Sequence, residues 1–68
     1  MLIGEIQKNA TEKLKVLISE FKGFTFLDIR IYYEDDQGEY KPTRKGITLK
    51  KEDIEPLIKL LQEGDKKL

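Results

Sequence analysis

The chain contains no cysteine and no histidine. Without cysteine there is no disulfide staple and no thiolate nucleophile. Without histidine the most frequent general base is missing, and so are the usual nitrogen and sulfur ligands of a structural zinc site. Ser19 is the only serine, and no histidine exists to activate it. No glycine-rich phosphate loop is present. Glu34, Asp35 and Asp36 form an acidic run, but in a polar turn where solvent stabilises the charged carboxylate and leaves no raised pKa for acid–base work. The EDDQGE stretch also lacks the ordered acidic positions and distal glutamate of a calcium loop. The expectation is a non-enzymatic protein with no catalytic residue, no metal site and no cofactor.

Two further absences bound location and charge. No stretch approaches the roughly 20 apolar residues of a membrane span, and MLIGEIQKN carries neither the basic lead nor the apolar run of a signal peptide. A reducing intracellular place is expected, cytoplasmic or nucleoid-associated, or nuclear in a eukaryote, with no membrane partner. An excess of one charge is also lacking, since 13 Lys+Arg stand against 13 Asp+Glu. A nucleic-acid role would therefore have to rest on local clustering of cations.

The 68 residues have room for one domain, residues 1–68, and one core. A domain this small buries only about 60% of its unfolded-chain surface. With disulfides and metals excluded, association with another chain is the remaining source of stability. Leu2 to Gln7 reads as a short strand and Lys8 to Glu12 as a turn-like cluster. Lys13 to Phe21 alternates, with Leu14, Val16 and Ile18 on one side and Lys13, Lys15, Ser19 and Phe21 on the other. Lys22-Gly23 turns the chain. Phe24 to Tyr33 reads as the strongest strand, with Leu27, Ile29 and Ile31 on its apolar side and Phe24, Phe26, Asp28, Arg30 and Tyr32 opposite. Glu34 to Gly38 is a hairpin turn. Glu39 to Lys41 is a short strand ended or edged by Pro42, Arg44-Lys45-Gly46 a basic turn, and Ile47 to Leu49 the last piece of sheet. Ile54, Leu57, Ile58 and Leu61 then make one stripe of an amphipathic helix, beginning near Asp53 or kinked at Pro56, and stopping at Gly64. The expected class is α+β, a four-stranded antiparallel sheet followed by one C-terminal helix. So wide an apolar stripe on so small a sheet implies a two-fold homodimer with Ile54, Leu57, Ile58 and Leu61 at its interface.

The non-core face collects Lys15, Phe21, Phe24, Phe26, Arg30 and Tyr32, and the adjoining turns add Lys22, Arg44 and Lys45. Cations that follow phosphates beside rings that stack bases are the components of single-strand recognition. Strand phenylalanines more often belong to a core or a dimer contact. Lys13, Lys50 and Lys51 read as ordinary solvated lysines. A protein-interaction module and an RNA-binding protein are the competing functions, because the balanced charge favours the first and nothing in the residues addresses the 2′-hydroxyl that separates RNA from DNA.

The stretch FKGFTFLDIRIYYEDDQGEYKPTRKGITL resembles the DNA-binding domain of the positive cofactor four family, the single-stranded-DNA-binding transcriptional coactivators. The matching pieces are Phe21-Lys22-Gly23, Asp28-Ile29-Arg30 with a following Tyr-aromatic pair, Gly38-Glu39, Lys41-Pro42 and Arg44-Lys45-Gly46-Ile47 before a helix. The resemblance implies a compact bacterial or phage-like member with a curved sheet, a symmetric dimer and channels that take single strands or the melted strands of a duplex. It also implies a link to the transcription machinery, or a DNA-melting or repair accessory role. By the same resemblance Phe21 and Tyr33 stack bases, Tyr33 standing where many members have tryptophan. Lys22, Arg30, Lys41, Arg44 and Lys45 contact the nucleic-acid backbone or shape the channel. Phe24 stands where the family often has lysine, and Lys15 joins the set by strand parity alone. Parity also sets Tyr33 on the core side, unless a bulge re-aims it or the strand ends before it.

Overall fold

The computed structural model describes residues 1–68. Four strands, β1 (Leu2–Gln7), β2 (Glu12–Phe21), β3 (Phe24–Glu34) and β4 (Tyr40–Leu49), form one antiparallel sheet in chain order, and the helix α1 (Lys51–Lys67) follows. Each connection has a local chemical cause. Between β1 and β2 the Asn9 side-chain oxygen accepts from the backbone N–H groups of Thr11 and Glu12 at 3.0 and 2.9 Å, an Asx turn. Between β2 and β3 a two-residue turn places Lys22 at φ 51° and Gly23 at φ 82°. Two successive positive φ values match the right-handed twist of a tight hairpin. Between β3 and β4 Gly38 takes φ 79°, while the Asp35 carboxylate accepts from the backbone N–H groups of Gln37 and Glu39.

The β2–β3 register is unbroken from Glu12↔Tyr33 to Phe21↔Phe24. It sets Leu14, Val16 and Ile18 opposite Ile31, Ile29 and Leu27 on an aliphatic face, which Ile6 of β1 and Ile47 and Leu49 of β4 extend. The other face carries Lys13, Lys15, Phe21, Phe24, Phe26, Asp28, Arg30 and Tyr32. The alternation expected for the two long strands is what the register shows.

Two expectations need correction. Residues 39–49 do not form a strand, a basic turn and a second strand. Tyr40–Leu49 is one strand, in which Pro42 pairs with Tyr32 and Gly46 with Arg30. Thr43, Arg44 and Lys45 therefore oppose the single residue Ile31, a bulge. Proline is accommodated because β4 is the sheet edge, where a missing ladder donor is tolerated. The helix begins at Lys51 rather than Asp53, and runs through Pro56 and Gly64 to Lys67. Its start is fixed by the Asp53 carboxylate, which accepts from the Lys50 backbone N–H at 3.2 Å. Gly64 costs about 1 kcal/mol relative to alanine in a helix, too little to end one by itself.

None of the 68 residues is buried. The aliphatic face is half-buried at best, and the helix stripe continues the gap. Ile54 lines a cavity with Ile18, Leu27 and Leu49, whereas Ile58 and Leu61 are 42% and 62% exposed. The chain has an accessible surface of 5753 Å² at 8.0 kDa, where surface scaling for compact monomers gives about 4,450 Å². The surplus of about 1,300 Å² per chain is surface that the chain's own fold does not close, and the exposed Ile6, Ile47, Ile58 and Leu61 belong to it.

Candidate nucleic-acid interface

Phe21 and Phe24 are direct cross-strand partners at the β2–β3 hairpin end, 62% and 75% exposed. Their position follows from the turn, because a two-residue loop forces the flanking residues into register. The Lys22 ammonium, in that turn, lies 5.3 Å from the centre of the Phe21 ring, within cation–π range. Rings this exposed face solvent across their own hairpin and pack into no core.

Arg30 occupies the middle of the same face. Its Nε and Nη2 donate to the two Asp28 carboxylate oxygens at 3.1 and 3.0 Å, and its Nη1 donates to the Thr43 carbonyl at 2.9 Å. The hydrogen bond it donates to Asp28 holds the guanidinium pKa above its ordinary value. The Arg30 side chain thus ties β3 to the β4 bulge, and its charge is already matched by a carboxylate. Thr43 Oγ1 donates to the Ile31 carbonyl and accepts from the Lys45 backbone N–H, fixing the bulge from its other side. Gly46 is required for this crossing. A Cβ there would lie 2.8 Å from both the Arg30 guanidinium carbon and the Ile29 carbonyl oxygen. Arg44 and Lys45, presented by the bulge, are exposed and belong to no ion pair, as is Lys22.

Lys15 lies toward the β1 side of this face. Its ammonium is 4.6 Å from the Tyr32 ring centre and 3.7 Å from a Glu5 carboxylate oxygen. Lys13, read from sequence as merely solvated, donates to the other Glu5 oxygen at 3.1 Å and sits 4.3 Å from the Tyr40 ring centre. The hydrogen bond from Lys13 holds the Glu5 carboxyl below the ordinary carboxylate range. Glu5, Tyr40 and Gly46 were not legible as site residues. Nothing in the sequence sets the β1–β2 register that brings Glu5 opposite Lys15.

Tyr33 and Lys41 fall elsewhere. Tyr33 continues β3 without a bulge, pairs with Glu12 and Lys41, and is on the aliphatic side of the sheet, 45% exposed near the strand end. Lys41 is 3.4 Å from an Asp35 oxygen. The sheet therefore brings together Lys15, Phe21, Phe24 and Arg30, with Lys22 at one end and Arg44 and Lys45 on the bulge. It leaves Tyr33 and its cross-strand partner Lys41 outside that set.

The chain is similar to known proteins in sequence and in fold. The family described as Transcriptional Coactivator p15 (PC4) matches residues 8–60. A Caenorhabditis elegans protein named as an RNA polymerase II transcriptional coactivator is 45% identical over 51 residues, 74% of this chain but 41% of that relative. A PC4 homologue from Burkholderia pseudomallei K96243 superposes with a TM-score of 0.91 in its orthorhombic crystal form, at 28% identity over 96% of this chain and 88% of that one. The fold is shared as well by a bacteriophage T5 homologue of the eukaryotic coactivator PC4, with a TM-score of 0.70 at 24% identity, over 96% of this chain and 80% of that one.

Proposed function

The chain belongs to the Transcriptional Coactivator p15 (PC4) family, and from that premise we propose that it is a non-enzymatic homodimer that binds single-stranded DNA with little sequence preference and serves the transcription machinery. The observation that carries the proposal is the exposed Phe21–Phe24 pair beside Lys22, in a sheet whose β4 bulge leaves Arg44 and Lys45 exposed and unpaired. Every base has a π-face, so stacking on these rings is indifferent to sequence and contributes about 1–3 kcal/mol per base. The free cations follow the phosphates. Self-association is supported by the unclosed aliphatic face and helix stripe. A surplus of about 1,300 Å² per chain, doubled across a two-fold axis, falls in the range of obligate dimers. Such a protein works where DNA is opened, in the cytoplasm or nucleoid, or in a nucleus.

The test is a titration of labelled single-stranded DNA, duplex DNA and RNA of one length at several salt concentrations. Single-stranded DNA binds best on this reading, with a negative log–log salt slope of about 0.7 per phosphate neutralised. RNA bound equally well makes the protein a general single-strand binder. No affinity for any of the three overturns the reading in favour of a protein-interaction module, which the balanced charge and the carboxylate-matched Arg30, Lys13 and Lys15 would suit.

A further inference from the structure

At the β1 side of the aromatic face, two lysines and two tyrosines surround one carboxylate. We propose that Lys13 and Lys15, flanked by the Tyr40 and Tyr32 rings, form a subsite for a backbone phosphate of a single strand, and that Glu5 occupies this subsite in the free protein as a built-in competitor. The inference rests on the single-strand reading above and deepens it, because it names a second region of the face that the strand would reach and the group it must displace.

The geometry is that of an anion site with its anion in place. Each Glu5 oxygen takes a different ammonium, Lys13 at 3.1 Å and Lys15 at 3.7 Å. A phosphodiester offers the same arrangement through its two non-ester oxygens. The ammoniums are held before any ligand arrives. Lys13 is 4.3 Å from the Tyr40 ring centre, and Lys15 is 4.6 Å from that of Tyr32 and 5.9 Å from that of Tyr40. Ring contact leaves the lysine side chains only 24% and 20% exposed, which is unusual for lysine. Holding them there reduces the rotamer entropy a bound phosphate would otherwise have to offset.

The competitor is replaceable. Glu5 sits on the edge strand β1, directly opposite Lys15 and diagonal to Lys13, with its side chain 36% exposed. Ion pairs at such exposure are weak. A polyanion that releases condensed counterions on binding has a driving force the lone carboxylate lacks. The two lysines are on the same face as the Phe21–Phe24 pair and on the same strand as Phe21, three to four alternating positions away. One strand of DNA can therefore run along β2 from the rings to this subsite.

Glu5→Gln removes the competing charge and keeps a side chain of the same shape. Its control is Glu63→Gln, which changes net charge equally but lies at the far end of α1, where Glu63 meets only Lys67 at 3.7 Å. Both are titrated with a thymidine oligonucleotide against salt, with folding checked by circular dichroism. Glu5→Thr replaces the glutamine variant if that one does not fold. The expected result for the Glu5 variant is affinity raised about threefold or more at about 50 mM salt, with a slope steeper by about 0.7, one phosphate's worth. Lys13→Ala should then flatten the slope more in the Glu5→Gln background than in the parent chain, a non-additivity that marks contact. Identical behaviour of the Glu5 and Glu63 variants, while the parent binds the oligonucleotide, overturns the subsite alone. A parent chain that binds no oligonucleotide overturns the functional reading and the subsite with it.

Discussion

Phe21 and Lys45 represent the two kinds of contact a single strand needs, and they separate cleanly by measurement. Phe21 is an exposed ring without formal charge, so Phe21→Ala should weaken oligonucleotide binding by about 1–3 kcal/mol and leave the salt slope unchanged. Lys45 is an exposed, unpaired cation on the bulge, so Lys45→Ala should flatten the slope by about 0.7. Anisotropy titrations across salt check both. Arg30 behaves differently because its donors are committed to Asp28 and Thr43. Gly46 is part of the same device. Gly46→Ala drives a methyl into the Ile29 carbonyl and the Arg30 side chain, with an expected loss of about 1–3 kcal/mol in urea unfolding. The sequence exposed the charge-bearing and ring-bearing positions of β2 and β3, because alternation alone decides their face. It hid the Glu5–Lys13–Lys15 cluster and the commitment of Arg30, since both depend on strand register and on a bulge that alternation cannot reveal.

The hairpin between β3 and β4 is an element held by one carboxylate. Asp35 is kept below the ordinary carboxyl range, first by the Glu39 backbone N–H, then by that of Gln37 and by Lys41. Because the folded pKa is the lowered one, the stabilisation is complete above the unfolded-chain value of about 4 and disappears as pH falls through the folded value. Unfolding midpoints in urea should therefore drop on acidification through that window. Asp35→Asn, which can still accept both backbone hydrogen bonds but carries no charge, should show a smaller drop. The same midpoint shift in both chains would contradict the assignment. At this scale the long strands and the amphipathic helix were readable from their periods. The β4 bulge was not, because Pro42 and Arg44-Lys45-Gly46 imitate a strand end and a turn while lying in one edge strand. The helix limits are hidden in the sequence for a related reason. Pro56 and Gly64 weaken a helix locally, but the flanking residues of α1 carry it past both.

The whole molecule is more open than a chain of its length that closes its own core. Its Cα radius of gyration is 13.6 Å, against about 10.9 Å for a compact domain of this size. In the proposed dimer a second copy covers the aliphatic face and the Ile54–Leu61 stripe that this open shape leaves exposed. Sedimentation should give twice 8.0 kDa, and the Tm should rise with protein concentration. Leu57→Lys should lower both mass and Tm, whereas a concentration-independent Tm in the parent chain would exclude the dimer. In the proposed function the two faces of one sheet serve different partners, nucleic acid on one and the second copy on the other. The direct measurement is backbone amide NMR during addition of a thymidine oligonucleotide. Shifts should concentrate on Lys13 to Lys15, Phe21 to Phe24 and Arg44 to Lys45, and leave Leu57, Ile58 and Leu61 in place. Shifts centred on the helix stripe, with the Phe21–Phe24 hairpin end unmoved, would contradict it.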